Sequence, residues 1–256
     1  MKLQLLPSTI AHNGSPTGGQ HLTCFVIDDR VAIDAGSLAM AANDLQRKGI
    51  RDVVLTHAHL DHTAGLPLFV DDLFATLDSP IRVHATMDVI EVLGRDVFNW
   101  SVYPDFAELE NDQGRVLEYS PIEPGTEFTA AHLSILPVRV NHKVPSAGFA
   151  IWDGNSRIAI TGDTAEANGF WDVINGLGRL DALLIECAFP NEMASLADIS
   201  HHLTPSRLDR ELGKFKLDCP VYAVNIKPMY REDVRRELAE LERKIEPLTV
   251  GEIYEF

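Results

Sequence analysis

A chain of 256 residues with 45% apolar content has room for a sizeable core and excludes a disordered protein. The formal charge of −16, from 38 acidic against 22 basic residues, disfavours long nucleic acids as partners, because binding them depends on Lys and Arg neutralising phosphates. The chain has no run near the roughly 20 apolar residues that cross a bilayer. Cys24, Cys187 and Cys219 are odd in number and widely spaced, which argues against a disulfide framework and for a reducing cytoplasm.

In chain order, Leu3-Gln4-Leu5-Leu6 before Pro7 reads as a first strand, too short and too soon broken for a secretory apolar segment. Asn13 to Gly19 is a Gly-rich loop without the Lys-Ser/Thr ending of a phosphate loop. Strands are expected over residues 22–27, 31–34 and 53–55, with an Ala-rich helix over 38–48 stopped by Gly49. Helices follow over 66–77 and 87–97, with a strand over 81–84 between them. Residues 98–128, rich in Asp, Glu, Pro and Gly, read as an irregular insertion over one face of a single domain spanning 1–256. Strands are expected over 132–142, 148–152, 157–161, 182–185 and 221–224, and helices over 206–215 and 232–245. The basic cluster from Arg231 to Lys244 is interleaved with acids and reads as a solvated helix face. Strand blocks with helices between them predict two packed mixed sheets with outer helices, an α/β fold arranged as a four-layer αβ/βα sandwich. No internal repeat is evident.

Directly after Val53-Val54-Leu55 comes Thr56-His57-Ala58-His59-Leu60-Asp61-His62. Imidazole and carboxylate suit borderline divalent metals such as zinc. In an extended segment His57 and His59 point the same way and can grip one ion, while the following bend can swing Asp61 and His62 toward a second. Further on, Val138-Arg139-Val140-Asn141-His142 is a strand ending on a histidine, and Ala159-Ile160-Thr161-Gly162-Asp163 is a strand, a glycine turn and an aspartate.

His57, His59, Asp61 and His62 resemble the signature of the metallo-β-lactamase superfamily, a fold that serves mostly as a hydrolase scaffold. Ile185-Glu186-Cys187-Ala188-Phe189-Pro190-Asn191, His202-Leu203-Thr204-Pro205 and Ile226-Lys227-Pro228 are similar to class II cyclic-nucleotide phosphodiesterases, and their layout also to ribonuclease Z. The resemblance implies that His142 completes a first metal site with His57 and His59, and that Asp163 bridges to a second ion held with Asp61 and His62. It implies two divalent ions, zinc first, with Mn or Fe as alternatives, and hydroxide on the metals as nucleophile. It gives His202 the role of proton donor or phosphate hydrogen-bond donor, oriented by Glu186, and counts Asp61 with the catalytic set. One departure stands out: the histidine usual before Ile-Lys-Pro is Asn225 here, so the second site is expected to bind loosely or to recruit His201. Asp34 and Ser37 are expected to brace the metal loop without ligating.

The expected activity is hydrolysis of a small phosphodiester, a 3′,5′-cyclic nucleotide being the leading candidate. The alternatives are another hydrolase of the superfamily, on a lactone, thioester, sulfate ester or tRNA 3′ trailer, and a metal-binding protein with weak or lost catalysis. A homodimer is left open as the oligomeric state, and no membrane partner is expected.

Overall fold

A strand sends successive side chains to opposite faces, so short continuous apolar runs such as Phe25–Ile27 and residues 182–185 set up a fold in which each sheet has two buried sides. The computed structural model describes residues 1–12, 14 and 17–256; three residues of the expected Gly-rich loop lie outside the described set. Its first part runs β1 (Lys2–Leu5), β2 (Phe25–Ile27), β3 (Val31–Ile33), α1 (Leu38–Ala41), α2 (Asp44–Gly49), β4 (Asp52–Val54), α3 (Leu60–Thr63), α4 (Gly65–Leu73), β5 (Ile81–Ala85), α5 (Met87–Asp96), β6 (Glu110–Asn111), β7 (Gly114–Arg115) and β8 (Leu117–Pro121). The second part runs β9 (Phe128–Ala130), β10 (Leu133–Arg139), β11 (Ala147–Trp152), β12 (Arg157–Ile160), α6 (Asn168–Gly176), β13 (Ala182–Glu186), α7 (Ala194–Ser200), α8 (Pro205–Leu212), β14 (Val221–Val224), α9 (Arg231–Ala239), β15 (Glu246–Pro247) and β16 (Ile253–Glu255).

The strands form two seven-stranded sheets, ordered β16-β1-β2-β3-β4-β5-β8 and β9-β10-β11-β12-β13-β14-β15. Read in those directions, each makes three antiparallel pairings and then three parallel ones. Phe25, Ile27, Ile33 and Val54 of the first sheet share a core with Phe149, Ile158, Ile160 and Leu184 of the second. The alternate residues Val26, Ala32 and Val53 face outward onto Leu38, Leu66, Phe69 and Val89. Ala150, Ala159, Leu183 and Ile185 do the same toward Phe170, Trp171, Leu208 and Val234. Each fully buried large side chain contributes roughly 1.5–3 kcal/mol. The result is the expected αβ/βα sandwich. Among the described residues no helix is long and apolar enough to cross a membrane.

Several boundaries differ from expectation. Residues 98–128 are not simply a cover over one face: β8 is an edge strand parallel to β5, and Phe98, Phe106 and Val116 are buried in the first outer core. The expected helix over 38–48 breaks at Asn43, whose side chain accepts the Gln46 N–H while Gln46 accepts the Asn43 N–H, a reciprocal cap that starts α2 afresh. The helix expected over 232–245 stops at Ala239. Helices α6 and α7 were not anticipated; Phe170, Trp171 and Ile174 put one face of α6 on the second sheet.

A buried carboxylate away from the site ties two strands of the first sheet together. Asp52 on β4 is 1% exposed and accepts hydrogen bonds from Arg82 Nε and Nη2 (2.8 and 2.7 Å) and from His84 Nε2 (2.8 Å). Burial pushes its pKa up, but the hydrogen bonds from His84 and Arg82 outweigh it and bring it down to about 2. A carboxyl depressed in the folded state contributes stability that is present above its unfolded pKa and is lost as pH falls through its folded one. Asp52→Asn is therefore expected to lower stability at neutral pH by roughly 2–3 kcal/mol. In denaturant titrations the gap between wild type and variant should hold above about pH 4 and shrink toward pH 2. A gap independent of pH would contradict this assignment.

Candidate metal centre

The strands near the middle of both sheets deliver their carboxyl ends to one rim, the place where open α/β sheets bind ligands. Asp34 follows β3, His57 follows β4, His142 follows β10, Asp163 follows β12, Glu186 ends β13 and Asn225 follows β14. The loop carrying His59 to His62 is clamped by backbone: Thr23 N–H donates to Asp61 O (2.7 Å) and Ala35 N–H to His62 O (2.7 Å). Gly36 makes this approach possible, since a Cβ there would fall 2.0 Å from the Asp61 carbonyl oxygen. Gly162 takes φ +63° in the turn that presents Asp163 and lies against Thr56.

Four of the imidazoles, His57, His62, His142 and His202, share one arrangement. His57 Nδ1 meets Thr56 Oγ1 at 2.9 Å, and His62 Nδ1 meets Asp34 Oδ2 at 2.6 Å. His142 Nδ1 donates to the carbonyl of His201 (3.1 Å), and His202 Nδ1 donates to Glu186 Oε1 (2.7 Å). Such outer bonds fix ring orientation and leave Nε2 for the centre. His57 Nε2 and His62 Nε2 are buried without a hydrogen-bond partner among the described residues. His62 Nε2 lies 3.4 Å and His57 Nε2 3.9 Å from Asp163 Oδ2, and His59 Nδ1 lies 3.3 Å from His142 Nε2.

Ligand atoms of His57, His59 and His142 all lie within 4.8 Å of one another, as do those of His57, His62 and Asp163, and those of His142, Asp163 and His202. Orphaned buried nitrogens are costly. A divalent cation among them would satisfy both, and an imidazole-carboxylate donor set suits zinc, manganese or iron. The residues fit the group.

The charges fit as well. Burial keeps the His57 imidazole well below its usual pKa, lowers that of His59, and brings His142 down to about 4, so all three present neutral, ligating rings near pH 7. His62 goes the other way: burial opposes its charge, but the carboxylates of Asp163 and Asp34 outweigh burial and hold it well above the usual range. Asp163 is held well below the carboxylate range, since His62 and His57 outweigh its burial.

Of the residues singled out from sequence, His57, His59, His62, His142, Asp163 and His202 converge here. Asp61 reaches the rim, 3.9 Å from His62 Nε2, but its Oδ2 is ion-paired with Lys227 Nζ at 3.0 Å. Asn225 is buried and donates from Nδ2 to Asp163 Oδ1 (2.5 Å). His201 does not join the donors; its ring sits on Asn141 Oδ1 (3.1 Å) and only its carbonyl serves the site. Asp34 braces the loop as expected, whereas the Ser37 hydroxyl points to Leu6 O (3.4 Å). Thr56 was missed. Its hydroxyl bonds Asp34 and His57 together, and its place just before the first histidine was the available signal.

A cleft of about 410 Å³ opens beside His59, floored by Ala58, Val89, Val92, Val144 and Pro145, with Asp88, Glu91 and Arg95 also lining it. A larger one, about 750 Å³, lies at the amino end of β14 and includes Cys219, Tyr222 and Lys244, away from the histidines.

A family model described as the β-lactamase superfamily domain matches residues 29–214. A probable 3′,5′-cyclic-nucleotide phosphodiesterase of Yersinia pestis is 28% identical over 220 residues, covering 74% of this chain and 61% of its own length. Unliganded yeast PDE1 superposes with a TM-score of 0.77 at 17% identity, covering 98% of both chains. The metallo-β-lactamase fold protein YhfI from Bacillus subtilis gives 0.75 at 16%, covering 99% of both. The chain spans between 54 and 66% of the length of the cyclic-nucleotide phosphodiesterases it matches in sequence.

With His57, His59, His142 and Asp163 as ligands, His59→Ala is expected to lose bound Zn²⁺ after dialysis, by elemental analysis. Equal metal content in variant and wild type would break the assignment. Asp34→Ala, which removes the carboxylate that holds the Thr56 hydroxyl behind His57, is expected to weaken Zn²⁺ by about 10–100-fold in chelator competition. An unchanged affinity would mean that Asp34 does not orient the donors.

Proposed function

The chain belongs to the β-lactamase superfamily, and on that premise we propose that it is a metal-dependent phosphodiesterase acting on a small phosphodiester, a 3′,5′-cyclic nucleotide being the favoured class. The observation that carries this reading is the His202–Glu186 pair standing beside the donor cluster. His202 is 7% exposed, its Nδ1 is 2.7 Å from Glu186 Oε1, and it shares a group of ligand-range atoms with His142 and Asp163. The two acceptor oxygens of Glu186 are further engaged by the N–H groups of Thr164, Ala188 and Leu203, so the dyad is held rigidly.

In this reading His57, His59, His142 and Asp163 hold the ion. A divalent ion bound there would lower the pKa of water toward 7 and draw charge from the phosphoryl oxygens. His202 donates from Nε2, either to the leaving oxygen or to a phosphoryl oxygen. Burial opposes its positive charge, but the Glu186 carboxylate outweighs burial and raises its pKa, keeping it a proton carrier at neutral pH. Lys227 adds a second cation at the rim. The apolar cleft beside His59 offers room for the organic part of a small ester. The overall charge of −16 supports a small anion over a polynucleotide.

Bis(p-nitrophenyl) phosphate and cyclic nucleotides are expected to be hydrolysed with Zn²⁺ or Mn²⁺ present, and β-lactams to be inert. Turnover of lactones or thioesters with no phosphodiester cleavage under any metal would overturn the reading, and efficient trimming of tRNA precursors would replace the small substrate with an RNA. His202→Gln is expected to lower kcat by about 10²–10⁴-fold. A protonated donor is lost as pH rises through its raised pKa, so wild-type kcat should fall on the alkaline side. Glu186→Gln removes the carboxylate that raises that pKa and should move the alkaline limb to lower pH; an unmoved limb would detach His202 from proton transfer.

A further inference from the structure

We infer that Lys227 supplies the second positive charge of this centre, so that the chain holds one divalent ion tightly, on His57, His59, His142 and Asp163, beside a lysine ammonium rather than a second ion. The inference rests on the metal reading given above and concerns the position next to that ion. There, His62 Nε2, Asp61 Oδ2 and Asp163 converge, with His62 Nε2 3.9 Å from Asp61 and 3.4 Å from Asp163. Those three groups alone would attract a cation.

Two neighbours already serve that position. Lys227 Nζ lies 3.0 Å from Asp61 Oδ2, the same oxygen that faces His62. Asn225 Nδ2 donates to Asp163 Oδ1 at 2.5 Å. The neighbour of the amide is a carboxylate, which only accepts, so the NH₂ group and not the amide oxygen must face it. To become a ligand, Asn225 would have to turn its oxygen toward the ion and give up this bond. A second ion on Asp61 would also have to share that carboxylate with an ammonium, against direct like-charge repulsion.

Lys227 is not a solvated surface lysine that happens to reach inward. Its side chain is 27% exposed, and its backbone is held at both ends, N–H to Ala188 O (3.2 Å) and C=O to Tyr230 N–H (3.0 Å). Asn225 adopts φ +55° at the end of β14, and with Ile226 buried between them, residues 225 and 227 both reach the acidic pair. Asn225 thus gives Asp163 an amide donor, and Lys227 gives Asp61 an ammonium.

The test is metal stoichiometry. Chelator-stripped protein is reloaded with excess Zn²⁺, desalted and measured by elemental mass spectrometry, with thermal melts checking that each variant is folded. Wild type and Lys227→Arg are expected to retain one equivalent. Lys227→Met combined with Asn225→His removes the ammonium and restores an imidazole, and it should retain close to two. Two equivalents of similar affinity in wild type would overturn the inference while leaving the metal reading intact. One equivalent in the folded double variant would also overturn it, because Lys227 would not be what excludes the second ion. No retained ion in wild type would overturn both the inference and the metal reading.

Discussion

The Asp34 carboxylate is the constraint on which the centre depends. It is 1% exposed on a left-handed backbone (φ +59°), and burying a carboxylate is costly unless its oxygens are satisfied. They are: Thr56 donates from its N–H (2.8 Å) and from its hydroxyl, and His62 Nδ1 lies at 2.6 Å. These bonds tie the end of β3 to the end of β4 and to the start of α3, which are the segments that carry His57, His59, Asp61 and His62. Burial raises the Asp34 pKa, and the bonds from His62 and Thr56 oppose that rise. The same logic recurs at three other rings: Thr56 behind His57, the His201 carbonyl behind His142, and Glu186 behind His202. The donors are therefore aimed by the protein before any ion is present.

That aiming is possible because of the sandwich. Parallel strands align their carboxyl ends, and the parallel halves of both sheets carry the site apart from His142, which leaves the end of antiparallel β10. The inter-sheet core of Phe25, Ile33, Phe149 and Ile160 then fixes the distance across which His57 and His62 of one sheet meet Asp163 of the other. The Asp52–Arg82–His84 cluster stiffens β4 and β5 within the same sheet. Fold stability and donor geometry are in this sense one property, since any change in sheet spacing moves Asp163 away from the histidines.

Much of this was legible in the sequence, for identifiable reasons. His57 and His59 could be read because their two-residue spacing puts both rings on one side of an extended segment. His142 and Asp163 could be read only from their order behind strands, since a lone histidine and a Gly-Asp turn are common. The sheets were legible because β11 to β13 are short, nearly continuous apolar runs, as strands buried on both faces are. β8 was hidden because Leu117-Glu118-Tyr119-Ser120-Pro121 is a short, half-polar edge strand within an acidic stretch. The shared pairing order of the two sheets leaves no trace of repeated residues, because topology constrains burial pattern and not identity. Asn225 was recognised as a departure, but the partnership of Lys227 with Asp61 was not, since it depends on a left-handed residue that no periodicity marks.

The central claim is that outer hydrogen bonds pre-orient the donors. The most direct measurement is a pair of crystal structures, one metal-free and one Zn²⁺-loaded, compared at the donor atoms. With the sheets superposed, His57 Nε2, His59 Nδ1 and His142 Nε2 are expected to shift by less than about 0.5 Å, the tolerance of a preorganised site. The Thr56 hydroxyl behind His57 and the His201 carbonyl behind His142 should be retained in both states. A metal-free structure in which these rings have swung out, with the bonds from Thr56, Asp34 and the His201 carbonyl broken, would show instead that the ion builds the site and would contradict the account.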